Sequence, residues 1–174
     1  MAEATLKRLT LDVPDFPKPG IVFKDITPVL EDPSALREVI DTIASYWADK
    51  GITRIVGIES RGFIFGSALA YAMNLGLTLV RKPGKLPRAT RSVSYELEYG
   101  SDNLEIHVDA LGTEDRVLII DDVLATGGTA AAVCELIAET GATLAGMSFA
   151  LELGFLSGRE KLPSDVDIQS LMVV

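Results

Sequence analysis

The sequence predicts an α/β fold: one twisted, mostly parallel sheet flanked by helices on both faces. Three observations carry that expectation. Segments that read as strands alternate with segments of helical spacing along most of the chain. A strand–helix–strand unit spans 52–80, and such a unit favours parallel strands joined by a right-handed crossover. At 117–129, four apolar residues run into two aspartates, a glycine pair and an alanine-rich helical stretch. That is the pattern of a strand buried on both faces that feeds a helix.

Taken in order, the first helix is expected at 35–50. Asp32-Pro33-Ser34 is a start signal, Leu36, Val39, Ile40, Ile43 and Trp47 recur at helical spacing, and Gly51 follows. A strand at 52–58, a helix at 62–73 and a short buried strand at 77–80 come next. Residues 92–99 and 104–108 read as a strand pair joined by Gly100-Ser101-Asp102-Asn103. In its second strand Leu104, Ile106 and Val108 alternate with Glu105, His107 and Asp109. The single histidine, His107, therefore falls on the polar face and is read as solvent-facing, without a catalytic task. The helix after the glycine pair runs 129–140 and stops at Gly141. Strands follow at 143–153 and 168–174. No repeat and no linker divides the chain, so 1–174 is expected to form one domain, with the N-terminal segment (within 1–34) as a hood.

The junction at 117–129 carries the chemistry. Ligands of an open parallel sheet bind beyond the carboxyl ends of its strands. A helix N-terminus presents free N–H groups to a phosphate, and Gly127 and Gly128 allow close backbone approach. Asp121 and Asp122 repel phosphate, so they face another part of the ligand, sugar hydroxyls or a metal ion. A phosphorylated sugar with vicinal hydroxyls suits both halves. Thr129 stands where a nucleotide-triphosphate loop of the Walker type needs lysine, which argues against that class.

With 174 residues and 48% hydrophobic content, the chain suits a globular domain with a sizeable core. A formal net charge of −9 disfavours nucleic acid and anionic lipid as partners. No stretch has the apolar length of a membrane span, and residues 1–8 have no signal-peptide core. A lone cysteine, Cys134, fits a reducing compartment and a small apolar role in its helix. The expectation is a cytoplasmic protein. Against the acidic background, Arg81, Lys82, Lys85, Arg88 and Arg91 crowd into one Pro/Gly-punctuated stretch without an acid, which suits a polyanion such as pyrophosphate.

The segment at 117–129 resembles the phosphoribosyl-pyrophosphate signature of the type I phosphoribosyltransferases. Five further segments resemble, in order, the members of that family that use adenine. They are 16–26 (Phe16-Pro17-Lys18-Pro19-Gly20-Ile21-Val22-Phe23-Lys24-Asp25-Ile26), Glu59-Ser60-Arg61-Gly62-Phe63, 81–87, Ser94-Tyr95-Glu96-Leu97-Glu98-Tyr99-Gly100, and Gly158-Arg159-Glu160-Lys161-Leu162. The resemblance covers nearly the whole chain. It implies a type I phosphoribosyltransferase fold with an N-terminal hood and a flexible loop and hairpin.

The resemblance also implies a reaction, adenine plus 5-phosphoribosyl 1-pyrophosphate giving AMP and pyrophosphate, with Mg²⁺ carried mainly by the substrate. Asp121 and Asp122 would hold the ribose hydroxyls, and Ala125, Thr126, Gly127, Gly128 and Thr129 the 5′-phosphate. Ser60, Arg61, Arg81, Lys82 and Lys85 would meet pyrophosphate, Arg61 taking part in catalysis. Val22, Phe23, Lys24 and Leu153 would bind adenine, Phe23 as the stacking ring and Leu153 as the opposite wall. Lys24 stands where many relatives carry arginine, so the charge is kept and planar stacking is not. Glu98 would manage the purine proton through N7, and Tyr99 would close over the ribose. A cis peptide at Glu59–Ser60 and a homodimer complete the expectation. Three rivals are a phosphoribosyl-pyrophosphate sensor, which would carry a DNA-binding segment whereas this acidic chain shows no basic recognition helix, a response-regulator receiver, which places its acidic pair early in the chain and has no use for the Gly-Gly-Thr loop, and a transferase for a 6-oxopurine or xanthine.

Overall fold

A computed structural model describes residues 2–96 and 101–174. Five parallel strands form the central sheet in the order β4-β3-β7-β8-β9: β3 is Arg54–Ile58, β4 Gly76–Val80, β7 Arg116–Leu124, β8 Thr143–Glu152 and β9 Asp167–Val173. Helices α3 (Pro33–Trp47) and α4 (Gly62–Met73) cover one face, and α5 (Gly128–Thr140) the other. The expected α/β architecture is the one observed.

Alternation along β7 explains the layering. Leu118 and Ile120 join the core under α3 and α4, whereas Val117 and Ile119 join the core under α5. All four are fully buried. Burial on both faces leaves the carboxyl ends of the strands as the sheet's wet rim, and the acidic pair sits there.

Several boundaries differ from expectation. Asp32 caps α3 by accepting from the Ser34 and Ala35 amides at 2.8 and 3.1 Å, and the helix ends at Trp47 rather than at 50. The strand expected to start at 52 starts at Arg54. β7 does not end at Ile120. It stays paired with β8 through Asp121, Val123 and Leu124, while its pairing with β3 stops at Ile120. The acidic pair thus lies in a half-paired strand, open on the β3 side.

The hood is a hairpin, β1 (Leu11–Pro14) against β2 (Val22–Asp25), with a cis Phe16–Pro17 bond in its turn. Helix α1 (Ala2–Leu9), which the sequence reading missed, is no part of it: Leu6 is fully buried against the layer of α3 and β9. Short α2 (Thr27–Glu31) follows the hairpin. The second hairpin is β5 (Thr90–Glu96) with β6 (Ser101–His107), so Ser101, Asp102 and Asn103 belong to a strand and not to the connection. His107 is half-buried rather than solvent-facing, with its ring 3.2 Å from an Arg88 guanidinium nitrogen. No helix among the described residues is long and apolar enough to cross a membrane.

Candidate active site

Two adjoining cavities lie at the carboxyl rim of the sheet. The smaller, about 80 Å³, is lined by Asp121 and by the turn that includes Ala125, Thr126, Gly127, Gly128 and Thr129. Gly127 has φ +80°, a left-handed conformation that favours glycine. A second constraint also holds it: a Cβ there would overlap the carbonyl oxygen of Gly158. α5 starts at Gly128, so the first amides of that helix border the cavity.

The larger cavity, about 970 Å³, is walled by Val22, Phe23 and Lys24 of the hood, by Arg61, Asp122 and Val123, and by Leu153, Phe155 and Leu156. The expected base residues therefore meet at one site, although β2 and the segment after β8 are far apart in sequence. Phe16 packs edge-on to Phe23 at 5.2 Å between ring centroids, steadying the ring proposed for stacking. Lys24 is bound to Asp12 at 2.6 Å, so its charge is partly answered within the hood. Phe155, 72% exposed, was missed by sequence reasoning. An exposed aromatic two residues beyond Leu153 was the available signal.

Arg61 stands in the wall of the larger cavity, beside the acidic pair. Its guanidinium pairs with Asp122 and lies 5.5 Å from the Phe23 ring centre. Asp122 is 6% exposed, and its amide donates to Asp121 Oδ1 at 2.8 Å. Burial, then the neighbouring Asp122 charge, pushes the Asp121 carboxyl well above its ordinary range. α4 approaches this pair closely because residue 62 is glycine: a Cβ there would stand 2.8 Å from Asp121 Oδ1. The peptide between Glu59 and Ser60 is cis, as the resemblance implies.

One strand over, the basic stretch divides. Arg81 donates to Glu59 at 3.2 Å, and the Lys82 amide donates to the same carboxylate at 2.9 Å. Lys82 Nζ pairs with Asp102 at 2.9 Å, and Arg81 donates to the Lys85 carbonyl at 3.1 Å. Burial opposes ionisation of Glu59, but the Lys82 amide and the Arg81 and Lys85 charges outweigh it and hold its carboxyl below the usual range. Arg88 and Arg91 go elsewhere. Arg88 pairs with Asp109, and Arg91 donates to the Glu139 carbonyl in the last turn of α5. The five cations are thus not one anion site: three stay beside Glu59, and two fasten the hairpin. Cys134 lies in α5, where burial pushes its thiol up to about 11, consistent with an unreactive role. Glu98 and Tyr99 lie outside the described residues.

A family model for the phosphoribosyl transferase domain matches residues 26–153. An adenine phosphoribosyltransferase from Anaeromyxobacter sp. (strain Fw109-5) is 60% identical over 151 residues, which is 87% of this chain and 85% of that protein. The chain belongs to the adenine phosphoribosyltransferase family. Solved structures agree. The adenine phosphoribosyltransferase of Thermoanaerobacter pseudethanolicus superposes with a TM-score of 0.95 at 47% identity, covering 100% of both chains. That of Saccharomyces cerevisiae, complexed with an imino-altritol bisphosphate and adenine, gives 0.92 at 40% identity over 98% of both chains.

Proposed function

We infer that the protein transfers the phosphoribosyl group of 5-phosphoribosyl 1-pyrophosphate to adenine, releasing AMP and pyrophosphate in purine salvage. The observation that supports this best is the adjacency of the two cavities. A small glycine-walled cleft of phosphate size opens beside a larger apolar one, and the acidic pair stands at their junction.

In this reading the 5′-phosphate sits in the turn at 125–129, and Asp121 and Asp122 accept from the ribose hydroxyls. Adenine lies between Phe23 and Leu153, and main-chain groups near Val22 read its donor–acceptor edge. A 6-oxopurine reverses those positions and leaves buried groups unpaired, at about 1–3 kcal/mol each. Displacement at the anomeric carbon passes through an oxocarbenium-like state, which Asp121 and Asp122 favour electrostatically. Ser60, Arg61, Arg81, Lys82 and Lys85 face the leaving pyrophosphate. Arg61, Arg81 and Lys82 each pair with a carboxylate in this structure, so binding exchanges those partners for phosphate oxygens. Glu98 holds the purine proton at N7, and Tyr99 closes over the ribose.

Mg²⁺ fits this donor set as a substrate-borne ion. It prefers oxygen ligands and keeps several waters, and the described residues offer no group of three acids, histidines or cysteines that could hold it unaided. Asp121 and Asp122 are the oxygen donors beside the ribose. When bound, the ion neutralises charge on the pyrophosphate.

The enzyme also forms a homodimer in this reading, for which the outward side of α4 supplies apolar surface: Ile64 is 43% and Tyr71 91% exposed. A monomer mass by light scattering at assay concentration would contradict it. The chain is read as one cytoplasmic domain. The functional test is incubation with phosphoribosyl pyrophosphate, Mg²⁺ and each purine base. AMP from adenine is expected. Mononucleotide from guanine or xanthine alone would overturn the base assignment, and no product from any base would favour a sensor. Glu98→Gln should lower kcat by about 10²–10⁴-fold, as for loss of a general acid–base group. An unchanged kcat removes that role.

A further inference from the structure

We propose that Arg159 and Glu152 are a positioning pair: together they hold one strap of chain, residues 153–162, against both the phosphate turn and the base cavity. The proposal rests on the reading that 125–129 seats the 5′-phosphate, and it assigns a task to two residues that touch no substrate.

Glu152 is the last residue of β8 and is 6% exposed. An acid at that depth needs a full partner. Arg159 provides it: Nε donates to both carboxylate oxygens, at 2.8 and 2.9 Å. The same guanidinium donates to the Ile168 carbonyl and the Ser170 hydroxyl of β9, each at 3.2 Å. One side chain therefore ties the strap to two strands. The strap makes two 3₁₀ turns, Gly154–Leu156 and Gly158–Lys161, the second carrying Arg159, and the Leu162 side chain plugs the core beneath α5.

What the strap touches gives the pair its significance. Leu153, Phe155 and Leu156 wall the base cavity. Gly158 lies directly on the phosphate turn: a Cβ on Gly158 would overlap the Ala125 carbonyl, and one on Gly127 would overlap the Gly158 carbonyl. With Gly158 in place the turn has no room to relax outward, so its amides stay aimed into the cleft. Such preorganisation raises affinity by removing an ordering cost from the binding step. The Arg159 hydrogen bond, against burial, holds the Glu152 carboxyl below its ordinary range, so the pair is ionised at neutral pH.

Because the strap borders both subsites, loosening it raises KM for both substrates. The test compares Arg159→Met and Arg159→Lys with the parent enzyme in steady-state assays of AMP formation. Emission of Trp47, the single tryptophan, fully buried and packed at Gly146, reports an intact fold. Arg159→Met should raise KM for phosphoribosyl pyrophosphate and for adenine about tenfold each while kcat changes less than about threefold. Arg159→Lys, which keeps the charge and loses the fork, should fall between and serves as the test if Arg159→Met does not fold. Glu152→Gln combined with Arg159→Met should do no more than Arg159→Met alone. Unchanged KM values in a folded variant, or a fall in kcat alone, would overturn the proposal. If the parent makes no AMP, the activity reading fails, and calorimetry with AMP decides this one. Weaker binding by the variant supports the strap, and equal binding overturns it.

Discussion

Strands β7 and β8 are neighbours, and each carries an acid near its carboxyl end at the same depth: Asp122 and Glu152 are both 6% exposed. Their surroundings differ. Glu152 is met at both carboxylate oxygens by one guanidinium that is itself held by β9. Asp122 shares its place with a second carboxylate and with Arg61, whose side chain is 41% exposed and also lies by Phe23. Burial alone does not mark a functional acid. The compensated pair braces, and the crowded pair is left with unspent charge facing a cavity.

The sharpest way to break that contrast is Asp122→Asn. Loss of charge-assisted hydrogen bonds to the ribose should cost about 10–150-fold in kcat/KM, with stability changed by less than about 1 kcal/mol because removing this charge also relieves its repulsion of Asp121. A large drop in Tm with activity preserved would erase the distinction. Glu152→Gln should act mainly on stability, costing about 2–3 kcal/mol, and on activity only through higher KM values as the strap loosens. That cost is less than the ~3–5 kcal/mol of a fully enclosed pair, because Arg159 is 44% exposed. For a chain of this size the loss lowers Tm by roughly 5–10 °C, readable by calorimetry.

Acid titration sharpens it next. Glu152 has a lowered folded-state pKa, so it stabilises above its unfolded value of 4.5, and that contribution is lost as pH falls through the folded value. Asp121 has a raised one. It favours the fold below its unfolded value of 3.8, and that support is lost as pH rises through the folded value. Asp121→Asn should therefore raise Tm at pH 7 in melts without substrate while reducing activity, and the gain in Tm should vanish below about pH 4. A Tm gain that persists at pH 3 would mean that charge crowding is not its source. The smallest effect belongs to the hood: Phe23→Leu should raise KM for adenine about 2–12-fold, the worth of an aromatic contact, and leave KM for phosphoribosyl pyrophosphate unchanged.

Patterns local in the chain were legible beforehand. The Asp32-Pro33-Ser34 cap, the spacing from Leu36 to Trp47 and the run at 117–129 each state their conformation within a dozen residues. α1 was not legible, because Ala2–Leu9 has no cap signal and only Leu6 and Leu9 as large apolar residues, and Leu6 becomes core only by packing under α3 and β9. The basic stretch misled for a related reason. Its five cations are adjacent in sequence, but the hairpin carries Arg88 and Arg91 toward Asp109 and α5.

By itself the sequence determined the fold class, the strand–acid–glycine–helix junction and the family, since these follow from short-range periodicity and from backbone demands that few residue types satisfy. Tertiary structure alone decided how each charge is spent. Arg61 reaches Asp122, Arg159 closes on Glu152 and Gly158 lands on the turn at 125–129 only after the sheet has brought the carboxyl ends of its strands together. Electrostatic and steric partners are set by distance in space, and neither composition nor spacing along the chain encodes that distance.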